Sequence, residues 1–195
     1  MTTVNPRIRT PRREVRKAVL AAAMSEFAGK GFAGTTIDAI ADAAGFTKGA
    51  VYSNFGSKDD LFFALLDQQI AHRIDAVTAL ARAAGTQPTM KALGELLTRG
   101  LLDNRDWQTL FTEYWLRAMR DETVRERFVE HRRAVRVAIE DAIRHLEIES
   151  DLDPAAMTVL VLALNSGMSI EEFTDPGIVP PDLFGTVLQA ITRQP

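Results

Sequence analysis

Apolar residues recur at spacings of three and four along almost the whole chain, and this pattern constrains the fold more than any other feature. The first such series is Val15, Val19, Leu20, Ala23, Met24 and Phe27. This spacing puts the apolar side chains on one face of an α-helix, whereas a half-buried strand would alternate every second residue. Eight further segments have the helical period, and no strand pattern is evident. The sequence therefore predicts an all-α protein of about nine helices.

Capping residues mark where several predicted helices begin. Thr35 or Thr36 is expected to cap the second helix, and Thr47 the third. Ser57 with Asp60 resembles a capping box that opens a long fourth helix, ending near residue 84. A break at residues 85–88 follows, and the other five helices are predicted at residues 90–101, 107–119, 124–146, 154–173 and 181–191.

The stretch GKGFAG at residues 29–34 matches the glycine fingerprint of a dinucleotide-binding turn. That turn needs a strand before it, but residues 12–30 have the period of a helix. Gly29 and Gly31 instead fit the left-handed position at a helix C-terminus, where glycine carries no steric cost. We therefore interpret this stretch as a connector between helices and not as a nucleotide site.

The charge is unevenly distributed along the chain, although the formal net charge is only −3. Residues 1–60 hold nine Lys or Arg and six Asp or Glu, a net of +3, so the remaining 14 basic and 20 acidic residues give −6. The first 20 residues are the most basic, with Arg7, Arg9, Arg12, Arg13, Arg16 and Lys17 against Glu14. Such a segment suits a polyanionic partner, and a solvated flexible tail explains it equally well.

The sequence lacks the residues that several classes of function require. The chain has no cysteine, which excludes disulfides, thiolate metal sites and cysteine nucleophiles. Of its three histidines, His131 and His145 are 14 residues apart, or about 21 Å along a helix, too far to share a metal. Neither HExxH nor GxSxG occurs. We therefore predict no metal, no cofactor and no enzymatic activity.

The start of the chain lacks the apolar centre of a secretory signal, and no uninterrupted run of about 18 apolar residues occurs. A cytoplasmic protein without a membrane partner is therefore expected.

The stretch VLAAAMSEFAGKGFAGTTIDAIADAAGFTKGAVYSNFGSKDDLFFAL runs from Val19 to Leu65 and combines several features in a fixed order. They are Phe27 with the glycines after it, the Thr35-Thr36 pair, Ile40-Ala41 with Ala44-Gly45, the run at 52–55, and Lys58 followed by Leu61. In order and spacing this stretch resembles the DNA-binding domain of the TetR family of bacterial transcriptional regulators. The resemblance implies a flexible basic arm at residues 1–11, a helix-turn-helix DNA-binding domain at 12–60, and a helical regulatory and dimerisation domain at 61–195.

The resemblance also implies which side chains contact DNA. Helix N-termini and nearby polar side chains are expected to hold phosphates, and the first turn of the third helix is expected to read bases, with Lys48 on guanine. Thr36 also fits a plain N-cap, and Tyr52 a half-buried core residue. The residues predicted to contact DNA are Thr36, Thr47, Lys48, Gly49, Tyr52, Ser53, Asn54 and Lys58.

One helix-turn-helix unit makes few base contacts, so two copies on a palindromic operator are expected. The helices predicted at 154–173 and 181–191 are rich in apolar residues. By the resemblance they pair with a second copy in a four-helix bundle, and an intrachain core is the alternative.

The resemblance further implies a small-molecule effector, apolar or amphipathic, that releases a repressor from its operator through the long fourth helix. The predicted ligand-binding residues are Trp107, Phe111, Tyr114, Trp115, Met119, Phe128, His131 and Asn165. The same aromatic stripe also fits an ordinary helix-packing core. The other function class that the sequence allows is a helical interaction or scaffold module that does not bind DNA; steep weakening of binding with salt would distinguish DNA binding from it.

Overall fold

The computed structural model describes residues 11–84 and 89–192, which form nine α-helices. Their bounds are α1 Arg12–Gly34, α2 Ile37–Ala44, α3 Lys48–Phe55, α4 Lys58–Ala84, α5 Met90–Leu102, α6 Arg105–Arg120, α7 Glu122–His145, α8 Pro154–Thr174 and α9 Leu183–Ile191. The β pairing in this part of the chain is an isolated bridge between Ser150 and Thr192. The predicted all-α class is confirmed. Residues 1–10 of the predicted basic arm lie outside the described residues.

The chain divides into two compact units, one ending at Leu66 and the other beginning at Asp67, so α4 contributes to both. The division lies six residues beyond the predicted one because the start of α4 is part of the first core. Leu61 and Phe62 have no exposed surface, and the Phe62 ring meets the Phe32 ring edge-on at 6.2 Å. The sequence pattern at residues 57–60 marks the start of α4, which belongs to the first unit.

In the first unit, α1 packs on α2 and α3, and α2 packs on α3. Val19, Phe27, Ile40 and Val51 are buried where these helices meet. Burying each such side chain contributes about 1.5–3 kcal/mol, so the apolar stripe of α1 holds the two short helices against it.

The end of α1 differs from the prediction. The helix runs on to Gly34, with Gly29 inside it and a kink at Gly31, whose φ is 71° and ψ is 167°. This positive φ with an extended ψ is not the left-handed cap that we expected. The hydroxyl of buried Thr35 donates to the Gly31 carbonyl at 2.8 Å and so occupies a backbone acceptor at the kink.

In the second unit, α9 lies on α5, α7 packs on both α6 and α8, and α8 also packs on α5. Buried residues of α5, α8 and α9 form one core with Val179: Met90, Leu93, Leu101, Met157, Met168, Phe184 and Leu188. Helix α9 begins at Leu183, two residues later than predicted. Gly94 and Gly185 lie at the crossing of α5 and α9, where the two backbones touch.

Candidate functional site

Helices α2 and α3 form a helix-turn-helix pair whose three ends are fixed by local interactions. The Thr36 hydroxyl accepts from the Ala39 N–H at 3.1 Å, and the Thr47 hydroxyl accepts from the Ala50 N–H at 3.2 Å. Between them Gly45 takes the left-handed conformation, with φ 73° and ψ 27°, and ends α2. The N-caps that the sequence predicted for both helices are therefore present, with Thr36 rather than Thr35 as the first.

The orientation of α3 is fixed by two side chains on one face. Val51 and Phe55 are buried four residues apart, so the opposite face of this short helix points outward. Five of the eight predicted DNA contacts form this outer face of α3, and all are exposed: Thr47, Lys48, Gly49, Tyr52 and Ser53. The exposed fraction of Tyr52 is 46%, so about half of this side chain is accessible on the outer face of α3.

Lys48 has an intramolecular partner that the sequence reasoning missed. Its ammonium lies 2.9 Å from the carboxylate of Asp38 on α2. The hydrogen bond and the charge of Asp38 raise the pKa of Lys48, so this side chain stays cationic. Both groups are exposed, and a pair of this kind contributes little to stability. Lys48 can therefore exchange Asp38 for a DNA acceptor at small cost.

Two arginines of α1 hold the C-terminal end of α3, and the sequence reasoning did not assign them this task. Arg12 donates to the Ser53 carbonyl at 3.2 Å and to the Asn54 side-chain oxygen at 3.3 Å. Arg16 donates to the Asn54 carbonyl at 3.3 Å and lies over the Phe55 ring. Cations stabilise a helix C-terminus because its last carbonyls carry partial negative charge. Asn54 thus acts in positioning α3, and the arginines add positive charge beside the outer face.

Lys58 was predicted to contact a DNA phosphate, and in the free protein its ammonium binds backbone carbonyls. Its ammonium donates to the carbonyls of Phe32 at 2.7 Å and Thr35 at 2.9 Å, and it lies 4.6 Å from the centre of the Phe32 ring. The Phe32 carbonyl belongs to the last turn of α1, and the Thr35 carbonyl follows directly after the helix. In the free protein Lys58 therefore ties the end of α1 to the start of α4, a role that only the folded structure reveals.

The predicted effector residues on α6 and α7 mostly pack against one another. The Phe111 and Phe128 rings are 5.7 Å apart, and Tyr114 and Phe128 are 5.8 Å apart. Trp107 is buried beside Phe111. These rings form the core between two helices, which is the alternative that the sequence left open.

Two other predicted effector residues, Trp115 and Met119, point outward with exposed fractions of 45% and 43%. His131 lies on α7 with a ring nitrogen 3.2 Å from the Arg127 carbonyl. None of these side chains lines the apolar cavity of the second unit.

That apolar cavity has a volume of about 100 Å³ and lies among α4, α5, α7, α8 and α9. Asn165 is the one predicted effector residue that lines it. Beside Asn165 the cavity has a residue that we did not predict, Arg73 of α4, whose Nη1 donates to the Asn165 side-chain oxygen at 2.9 Å. Asn165 was predicted to need a polar partner if buried. Arg73 is that partner.

Helix α8 exposes a broad apolar surface. Val159 and Ile170 have exposed fractions of 57% and 59%. By length and composition alone this helix would be able to cross a membrane. Only 22% of its most apolar 18-residue window is buried, so most of its residues retain accessible surface in the isolated chain. An interface between two chains requires the same apolar exposure in the isolated chain.

Among the residues that the structure describes, no three His, Asp or Glu side chains lie close enough together to hold a metal ion.

Comparisons with known proteins agree with this geometry. Residues 19–65 match the family described as bacterial regulatory proteins, tetR family, and residues 86–194, more than half of the chain, match the family described as BetI-type transcriptional repressor, C-terminal. The HTH-type transcriptional repressor AcnR of Corynebacterium glutamicum is 26% identical over 144 residues, which cover 70% of each chain.

Solved structures share the fold. A protein described as a TetR-family transcriptional regulator from Mesorhizobium loti aligns with a TM-score of 0.68 and 19% identity over 95% of this chain and 100% of its own. A protein described as a transcriptional regulator from Saccharomonospora viridis, solved in complex with choline, aligns with a TM-score of 0.61 and 18% identity over 93% of this chain and 100% of its own. At these identities the likeness establishes the fold alone.

Proposed function

The chain belongs to the TetR family of bacterial regulatory proteins, and from that premise we propose how this DNA-binding transcriptional regulator works. It binds a palindromic operator in the cytoplasm as a homodimer, with α3 of each copy in the major groove. It acts as a repressor, and a small molecule in the apolar cavity releases it from the operator. It is a regulator and not an enzyme.

The observation that carries this proposal is the outer face of α3. It is exposed, starts at a helix N-terminus that favours anions, and is flanked by Arg12 and Arg16. Lys48 has the length and the donors to reach guanine O6 or N7. Thr36 and Tyr52 are both exposed, so their side chains are accessible for the phosphate contacts that we propose for them.

Selection of bound sequences from a pool of random duplex DNA tests the proposal. The full chain should enrich an inverted repeat whose half-sites are about one helical turn, or 10 base pairs, apart or a multiple of it. Enrichment of an unpaired motif would contradict the two-fold arrangement, and absence of any enrichment would contradict sequence-specific binding.

The salt dependence of binding to the selected site separates this function from that of a scaffold module. Each phosphate neutralised by the protein releases counterions, so the logarithm of the affinity should fall linearly with the logarithm of the salt concentration. A slope near zero would favour an apolar protein interface over a DNA contact.

The exposed face of α8 is proposed as the centre of the dimer interface, together with α9. A variant with Val159→Glu and Ile170→Glu is expected to be monomeric at micromolar concentration, because two charges per copy would have to be buried in an apolar contact. Sedimentation velocity measures this directly. The same variant should bind a full operator at least about 100-fold more weakly, since it would engage one half-site at a time.

Val137→Glu is the matched control for the dimer variant. Val137 is also exposed, with a fraction of 56%, but it lies on α7 among charged residues such as Arg133 and Asp141. This control should remain a dimer. Loss of the dimer in Val137→Glu but not in the α8 variant would place the interface on α7 instead.

The apolar cavity is proposed as the effector site. It is bordered by α4, which contributes to both units of the chain, so a ligand there acts on a helix that the DNA-binding unit shares. Release requires that the ligand prefer a conformation in which the two copies of α3 no longer match the half-sites. The Saccharomonospora viridis protein binds choline, a cation, whereas the cavity of this chain holds an arginine, so its ligand differs in charge.

A further inference from the structure

Arg73 is the charged group in an otherwise apolar cavity. Within the part of the chain that the structure describes, its guanidinium forms one hydrogen bond, from Nη1 to the side chain of Asn165. The second terminal nitrogen, Nη2, is buried and has no acceptor among the described residues. Burial lowers the pKa of the Arg73 guanidinium because desolvation penalises its charged form.

No described carboxylate forms an ion pair with Arg73. Asp103 borders a neighbouring pocket that Arg73 also lines, yet the ion pairs between described residues do not include one that joins the two. Arg73 is partly buried, and a charge that is largely withdrawn from water without a counter-ion is destabilising; arginine does not escape this cost by losing its proton. The position is therefore unfavourable in the free chain and becomes favourable when an anion is present.

The other walls determine what kind of anion fits. Aliphatic side chains from five helices line the same cavity as Arg73, among them Ile70, Ile74, Leu93, Ile143, Val161 and Leu188. A bare inorganic anion would lose its hydration against these walls without compensation. An anion that carries an apolar body would bury that body against these walls, which is favourable in proportion to the apolar area removed from water.

We propose that the cavity binds a small monocarboxylate, with its carboxylate on the Arg73 guanidinium and its apolar body against the aliphatic walls. The planar guanidinium offers parallel donors that match the two oxygens of a carboxylate. Asn165 holds the guanidinium through Nη1, so the ligand meets a donor group that is already oriented. A single positive charge neutralises one negative charge, which favours a monoanion over a doubly charged phosphate. This inference names the chemical class of the effector. It rests on the proposed function only in assuming that ligand binding releases the operator.

Isothermal titration calorimetry of the full chain with octanoate, octanamide and octylamine tests the charge preference. The three probes have the same apolar tail and carry negative, neutral and positive head groups. Octanoate should bind at least about tenfold more tightly than octanamide, because a hydrogen-bonded pair of opposite charges is stronger than a hydrogen bond to a neutral amide. Octylamine should bind most weakly.

Arg73→Met retains a long apolar side chain and removes the charge. In this variant octanoate should lose at least about tenfold in affinity and octanamide should keep its own, so that the preference disappears. We expect the variant to unfold close to the temperature of the natural chain, because the loss of an uncompensated charge offsets the loss of the hydrogen bond to Asn165. Arg73→Gln tests the same loss with a polar, uncharged side chain.

Equal binding of octanoate and octanamide to the natural chain would overturn the proposal, as would an unchanged preference for octanoate in both Arg73 variants. The result is independent of DNA. If octanoate binds through Arg73 but does not release the selected operator, the effector step of the proposed function fails and this inference stands. If the operator binds and no carboxylate preference exists, the DNA-binding function stands and this inference fails.

Discussion

Replacing Lys48 and Tyr52 together by alanine is expected to weaken operator binding about 100-fold or more, with little change in folding. Each contact to a base or phosphate contributes about 1–3 kcal/mol, and the dimer loses each contact twice. Lys48 is exposed and its partner Asp38 is exposed as well, so neither loss leaves a buried group unpaired. Fluorescence anisotropy with the selected operator at fixed salt gives the affinity. Thr47 is left unchanged because its hydroxyl caps α3, and removing a cap would confuse folding with binding.

The matched control replaces one exposed cation and one exposed aromatic residue far along the chain, Arg133→Ala with Trp115→Ala. Both side chains are exposed in the second unit. Operator affinity should change less than about threefold in this control, since surface substitutions away from a contact have effects within about 0.5 kcal/mol. If the control lost as much affinity as the α3 variant, general positive charge and not the outer face of α3 would carry DNA binding.

Gly94→Ala is expected to cost about 3 kcal/mol or more of the free energy of unfolding, the largest effect on stability that we predict for a single methyl group. A Cβ atom on Gly94 would lie 2.2 Å from both the Cα and the N of Gly185. The obstacle is backbone, so no side-chain rotation relieves it, and α9 must move away from α5. That movement would also expose Phe184 and Leu188, which contribute to the core and to the cavity.

Gly100→Ala is the control because it makes the same change on the same helix. No atom lies within 4 Å of the position that its Cβ would occupy. In a helix alanine is favoured over glycine by about 1 kcal/mol, so this variant should be more stable than the natural chain. Urea denaturation followed by circular dichroism gives both values. Similar stabilities for the two variants would show that α5 and α9 do not cross in backbone contact.

Sequence reasoning reached furthest where the determinants are local. The helical period and the caps at Thr36 and Thr47 depend on residues a few positions apart, and these predictions agree with the structure. Both alternatives for Tyr52 were available from the sequence. The exposure of its side chain follows only from the orientation that buried Val51 and Phe55 give α3. The kink at Gly31 was missed because the choice between ending and bending a helix depends on Thr35 and the packing behind it.

Contacts between residues far apart in the chain could not be predicted from the sequence. In α4, Arg73 looks like any solvated cation on an amphipathic helix, and nothing local indicates that Asn165, 92 positions later, meets it. The aromatic residues of α6 were predicted to line a pocket, yet Phe128 of α7 fills the space between them. One signal was overlooked. Gly94 lies inside an apolar helix, where glycine is costly, and such a glycine indicates that another backbone passes close by.

The position of α3 in the major groove is the claim on which this account of regulation depends, and the absence of cysteine allows a direct test. Gly49→Cys introduces a single thiol on the outer face of α3, where a Cβ meets its nearest neighbour, Thr47 Oγ1, at an ordinary 3.9 Å. Disulfide exchange is measured with operator DNA that carries a thiol tether on cytosine N4, an atom of the major groove. The account predicts rapid crosslinking at two symmetric positions of the operator and none above background for exposed Thr109→Cys on α6. Crosslinking of Gly49→Cys no faster than that of Thr109→Cys would contradict it.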